Sequence, residues 1–126
     1  LLYILEQGKK FFSNGEFRQA MENYENFIKI FPDSPLLPKV FIQLAETFYK
    51  IGEWKNAANS YLEAFSLEPK GVFAPQALFG LAISLGALKQ FHQACLTLDE
   101  VHLRFPSQNL ISESDIMETK VLLNCV

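Results

Sequence analysis

No run of apolar residues in this sequence approaches the roughly 20 needed to cross a bilayer as a helix. The longest, Ala77 to Leu88, spans about 12 residues and is interrupted by Gly80 and Ser84. Charge is also sparse: 20% of residues are charged, the formal net charge is -3, and the lysines are scattered. No basic stripe is available to neutralise a phosphate backbone, which argues against a nucleic-acid partner. The two histidines, His92 and His102, lie ten residues apart and are joined to no cysteine or carboxylate in zinc-ligand spacing, so no metal site is expected. There is no Gly-x-Ser-x-Gly, His-Glu-x-x-His, phosphate-binding glycine loop or dinucleotide fingerprint. An enzymatic reading has no residues to rest on, and no cofactor is expected.

What is present is a soluble-domain composition, 49% hydrophobic with mean hydropathy +0.08, in a chain of 126 residues that suits a single core. The chain opens at Leu1 without an initiator methionine or a charged leader, and so reads as a piece of a longer protein.

The organising feature is an internal repeat of 37 residues. Shifted by that period, Ala20, Ala57 and Ala94 coincide, as do Pro32, Pro69 and Pro106, the aromatics Phe17, Trp54 and Phe91, and the set Phe11, Phe48 and Leu85. Tyr24 and Tyr61 align with Leu98, Pro38 with Pro75, and Gly15 with Gly52, whereas the third copy carries Lys89 at the glycine position. Each unit reads as an amphipathic segment, a turn, a second amphipathic segment and a proline stop. That is a helical hairpin: glycine leaves the first helix in a left-handed conformation, and proline cannot continue the second. Lys89 implies a third turn that lacks the left-handed glycine. The alanines mark close approach of the two helices, with the flanking aromatics supplying bulk.

The expected architecture is therefore all-α: repeats at about 1–34, 35–71 and 72–108, followed by one further helix at about 112–124. Ser112 or Ser114 would cap that helix, Asp115 would sit in its first turn, and Ile116, Val121 and Leu122 would form its apolar stripe. It is assigned the role of a solenoid cap with a polar outer face. Helix 76–88 is apolar nearly all round and should be covered on both sides; its small residues Gly80, Ala82, Ser84, Gly86 and Ala87 permit close packing or, alternatively, a groove floor walled by Phe79 and Ile83.

The series Gly8, Gly15, Phe17, Ala20, Tyr24 and Pro32 resembles the tetratricopeptide repeat pattern, and three units share its register up to about residue 106. The usual length is about 34 residues, and the extra three fall in the connections Pro32–Pro38 and Pro69–Pro75. In such arrays the first helix of each hairpin lines a concave face where extended partners lie. Register places Leu5, Lys9, Phe12 and Ser13 there from the first unit, Ile42, Glu46, Tyr49 and Lys50 from the second, and Phe79, Ile83 and Ala87 from the third. The partner-contact set expected from these is Lys9, Phe12, Ile42, Glu46, Tyr49, Lys50, Phe79 and Ile83. For the apolar members, above all Leu5 and Phe79, ordinary core packing is the competing explanation.

A finer resemblance rests on Ala74 to Leu78, Leu81 to Leu85, Ala94 to Thr97 and the linker Phe31 to Pro38. These segments resemble the C-terminal repeat domain of the Tol-Pal system proteins of the YbgF/CpoB type. Phe41 to Glu46 departs from that family's Tyr-Trp-Leu-Gly-Glu, so no role of its tryptophan transfers. The resemblance implies a periplasmic, non-catalytic module that binds TolA and helps coordinate peptidoglycan synthesis with outer-membrane constriction at division. It also implies an upstream signal peptide and a coiled coil that makes the full-length protein a homotrimer. An alternative of another class is a scaffold subunit of an outer-membrane protein assembly, where similar 37-residue units occur; a third is a repeat appendage regulating an enzyme elsewhere in a longer chain. Cys95 and Cys125 are read either as a disulfide or as one buried and one terminal free thiol, and a periplasmic home favours the bond.

Overall fold

The computed structural model describes residues 2–126, which form seven helices: α1 (Leu2–Ser13), α2 (Phe17–Ile30), α3 (Leu37–Lys50), α4 (Trp54–Leu67), α5 (Ala74–Ala87), α6 (Phe91–Arg104) and α7 (Glu113–Leu122). The ends of α2, α4 and α6, and of α1, α3 and α5, recur at the 37-residue shift read from the sequence. Each helix packs on the next in the chain, and α3 also touches α5, as a superhelical stack of hairpins requires.

The turn inside each hairpin is built by the same two backbone bonds. In the first, the Gly15 N–H donates to the Phe12 carbonyl (3.0 Å) and the Glu16 N–H to Phe11 (2.8 Å). Gly52 and Glu53 repeat these bonds to Tyr49 and Phe48, and Lys89 and Gln90 repeat them to Gly86 and Leu85. Gly15 and Gly52 have φ of 78° and 81°, the left-handed region where a side chain is disfavoured. Lys89 adopts φ 64°. The third turn thus loses the glycine but keeps the left-handed conformation, because the two hydrogen bonds and the packing on either side fix it. Asn124, with φ 55° and the same pair of bonds after α7, closes that helix as a fourth copy of the turn. The final helix is therefore built like a shortened first helix of a further hairpin.

The connections between hairpins also repeat. The Ser34 N–H donates to Phe31 and Leu37 to Ser34, matched by Gly71 to Glu68 and Ala74 to Gly71. Pro38 and Pro75 then enter α3 and α5 in the first turn, where a backbone N–H has no helical partner to lose. This is why α5 begins at Ala74, two residues earlier than the 76–88 span read from the sequence.

Ala20, Ala57 and Ala94 are fully buried, as expected of the closest helix approaches. One core cluster runs continuously from α1 to α5, and a second joins Leu78, Val101 and Ile116 across α5, α6 and α7. No residue of α5 is exposed, so this helix is covered on both sides. The ring of Tyr24 packs against Gly8, where an added Cβ would stand 2.8 Å from it. Tyr61 packs against Gly80 of the next hairpin, where a Cβ would lie 2.2 Å from the ring. Each tyrosine is thus accommodated by a missing side chain.

The last helix departs from expectation. Ser112 caps it, accepting from the Asp115 N–H at 3.0 Å, and Ile116 is buried. Val121 and Leu122, however, are exposed; Leu123 instead reaches Gly86 on α5. With Met117 exposed as well, the outer face of α7 is not the polar cap anticipated. The helix is held by its first turn, by Lys120 paired with Asp99 at 2.7 Å, and by a disulfide between Cys95 and Cys125 with Cα atoms 5.6 Å apart.

Candidate partner-binding groove

The first helices of the hairpins bring several of the expected residues together. Lys9, Phe12 and Ser13 from α1 and Glu46 from α3 line one cleft of about 200 Å³, with Tyr24 and Gln43 completing its wall. One repeat further, the equivalent positions are Glu46, Tyr49, Lys50, Tyr61, Gly80 and Ile83. Glu46 belongs to both sets and so stands at the centre of the inner face. At this second junction the Tyr61 ring fills the space that Gly80 leaves open.

Lys9, Glu46 and Lys50 are exposed; Phe12, Tyr49, Phe79 and Ile83 are half-buried. Tyr49 stands 6.4 Å from Trp54 across the hairpin turn, and Phe12 stands 5.3 Å from Phe17 in the same way. Ile42 does not belong to the surface: it is 3% exposed and part of the main core cluster, as is Leu5. Their register points between the two helices of the hairpin, and the central hairpin is covered by neighbours on both sides. Phe79, at the same register, keeps partial exposure and joins the second cluster.

The electrostatics centre on Glu46. Among the described residues its carboxylate makes no ion pair and accepts no hydrogen bond. Although part of its side chain meets solvent, the surrounding walls desolvate the carboxyl and push its pKa above the ordinary carboxylate value, with Lys50 partly opposing the shift. Burial, reinforced by the Glu46 charge, raises the Tyr24 hydroxyl to about 12. The Tyr61 hydroxyl is raised by burial, by Glu46 and by Tyr49. Two tyrosine hydroxyls therefore lie within electrostatic reach of this one carboxylate. The sequence marked both tyrosines as packing bulk; their polar tips, and Gln43, were the groove residues it did not single out. A tyrosine in a small-residue slot is the signal that could have found them, since a buried ring brings its hydroxyl to the rim.

A larger concavity of about 400 Å³ lies between the α4–α5 and α6–α7 connections, lined by residues such as Val72, Pro75, Phe105 and Leu110. Its one charged lining residue, Arg104, is engaged by Glu100 and lies 5.7 Å over the Phe65 ring. The inner groove, with free charges of both signs beside aromatic walls, has the richer recognition chemistry.

The tetratricopeptide repeat model matches residues 3–34 and 76–107, about half of the chain, on either side of a central hairpin whose geometry is the same. No curated protein matches significantly. Among solved structures, the TPR2B domain of yeast Sti1 in complex with pHsp70 superposes with a TM-score of 0.83 at 20% identity, covering 97% of this chain and 94% of that one. The first TPR of Spaghetti (RPAP3) bound to the HSP90 peptide SRMEEVD gives 0.79 at 17% identity over 98% and 89%. The second TPR domain of human RPAP3 in complex with the HSP70 peptide SGPTIEEVD gives 0.77 at 18% over 96% and 92%. At these identities the likeness is one of fold. Domains of this kind are protein–protein interaction modules and generally non-catalytic. Repeat period, hairpin geometry and family match agree: this chain belongs to the tetratricopeptide repeat family.

Proposed function

We propose that the chain is a protein-binding module of the Gram-negative cell envelope whose inner groove, centred on α3, holds TolA in the periplasm and so helps couple peptidoglycan synthesis to outer-membrane constriction at division. The observation that carries the groove is the grouping of exposed Glu46 and Lys50 with half-buried Tyr49 on one stripe of α3, beside the cleft that Lys9 and Phe12 line. An aromatic ring among charges of both signs suits a polypeptide better than a small polar ligand. The named partner rests on the sequence resemblance of Ala74–Leu78, Leu81–Leu85 and Ala94–Thr97. The Cys95–Cys125 disulfide supports an oxidising compartment.

Chaperone C-terminal peptides of the EEVD kind, bound by the structural neighbours, fit this groove less well. They carry several carboxylates, whereas the stretch Ala74–Ala87 that forms the third inner helix contains no charged residue at all. Titration of the chain with the periplasmic part of TolA should give saturable binding, weakened at least tenfold by Tyr49→Ala combined with Lys50→Glu. Unchanged affinity in the folded double variant would reject the groove. No binding by the unaltered chain would reject TolA, and tighter binding of an EEVD peptide would favour a chaperone-type partner.

A further inference from the structure

The three inner helices present equivalent positions to a partner, and one register is unusually informative. Lys9, Glu46 and Ile83 are related by the 37-residue repeat, and the helices that carry them end in the same register. Lys9 and Glu46 line the same cleft, and α3 touches α5, which carries Ile83. Across the groove this stripe reads cation, anion, apolar. Lys9 and Glu46 are exposed, and neither forms an ion pair among the described residues. Helices in contact, as α3 and α5 are, stand about 8–10 Å apart. A segment in the polyproline II conformation returns the same face every third residue, about 9 Å on. A cleft of about 200 Å³ admits a side chain, not a helix roughly 10 Å across.

Resting on the groove reading above, we propose that Lys9, Glu46 and Ile83 form a recognition ladder for an extended partner segment bearing an acidic, a basic and an apolar side chain, three residues apart and in that order from the first hairpin to the third. Lys9 takes the carboxylate. Glu46 takes the cation, whose stem lies along Tyr49 and between the rims of Tyr24 and Tyr61; aromatic faces favour a cation beside them. Ile83, with Phe79 on the same helix, receives the apolar residue. A carboxylate that is desolvated and unpaired in the free protein gains most from an incoming cation, which makes Glu46 the position of highest selectivity.

The test uses synthetic peptides on the whole chain, with fluorescence anisotropy as the readout. The probes are Asp-Pro-Pro-Arg-Pro-Pro-Leu, its reversed sequence, and both with Asp and Arg exchanged. The unaltered chain should prefer the acid-base-apolar order in one chain direction at least tenfold over the exchanged order. The Lys9→Glu/Glu46→Lys double variant should invert that preference, and Ile83→Glu should replace the preference for Leu with one for Lys. Both altered charges are exposed, and matching thermal melts establish that the variants are folded. Equal affinity for both orders, no binding of any probe, or a preference that survives the double exchange would overturn the ladder. Loss of all peptide binding in Tyr49→Ala/Lys50→Glu together with indifference to order would leave the groove reading standing while removing the ladder. Order-dependent binding untouched by that variant would overturn the placement of the cation along Tyr49, and with it the ladder as stated.

Discussion

Lys89 occupies a backbone conformation that its own Cβ disfavours, at φ 64°, because the turn hydrogen bonds to Gly86 and Leu85 leave no alternative. A left-handed residue other than glycine costs about 1–2 kcal/mol, and glycine itself costs some of that back through its freer unfolded state. Lys89→Gly should therefore stabilise the protein by about 1 kcal/mol, read as a higher urea midpoint with an unchanged slope. A fall in the midpoint would mean that the lysine side chain makes a contribution its exposure does not suggest. The same residue shows where a sequence pattern stops being informative. Glycine at positions 15 and 52 announces the left-handed turn, but its absence at 89 does not announce a different one. The conformation is set by the period of the whole hairpin, and a single residue can only raise or lower its cost. Ile42 teaches the converse: helical spacing gives its face on α3, but whether that face meets solvent or a neighbouring helix depends on packing that the spacing does not contain.

At the scale of the element, α7 is the part least supported by its neighbours. It contributes one residue, Ile116, to the buried clusters, and the apolar side chains of Val121 and Leu122 point away from the array. The stripe read from the sequence failed because a ten-residue helix that lands on its first turn has no second surface to bury its last. The covalent link to α6 compensates. Closing a loop of 30 residues restricts the unfolded chain by about 3–4 kcal/mol in the loop-entropy account. Reduction, or Cys95→Ser with Cys125→Ser, should lower stability by about that amount. Hydrogen exchange in the reduced protein should show α7 amides losing protection first, with α3 and α4 keeping theirs. An urea midpoint indifferent to reductant would show that the bond only decorates a helix already anchored by Lys120 and Asp99.

For the whole molecule, the joints between elements matter more than the elements, since each hairpin is stabilised mainly by its nearest neighbours. Much of this was legible: alanines at the closest approaches, prolines at the stops and one period of 37 residues fix the stacking, because all three reflect steric limits that recur in every unit. The groove was legible as a face, through Lys9, Phe12, Glu46, Tyr49 and Lys50, but not as a set of neighbours, since Tyr24 and Tyr61 come from the second helices and reach it only through the gaps at Gly8 and Gly80.

These two tyrosines give the array a shared pH dependence. In the unfolded chain they ionise near 10, whereas in the fold burial keeps the Tyr24 proton up to about 12 and raises that of Tyr61 as well. Below pH 10 both states hold their protons, and the stabilisation is complete. As pH rises through 10, the unfolded chain loses protons that the folded one retains, so stability falls until the folded hydroxyls ionise in turn. Each tyrosine contributes a slope of up to about 1.4 kcal/mol per pH unit. Thermal or urea unfolding between pH 9 and 11.5 should show a steep loss of stability in the unaltered protein. In Tyr24→Phe/Tyr61→Phe the slope should be smaller by up to about 2.7 kcal/mol per unit. If the two proteins lose stability in parallel, the hydroxyls reach solvent freely, and the packing of Tyr24 on Gly8 within the first hairpin and of Tyr61 on Gly80 between hairpins is looser than the structure implies. Parallel loss would also deprive Glu46 of the enclosed setting on which its selectivity for a cation depends, so this alkaline experiment probes the joint and the groove together.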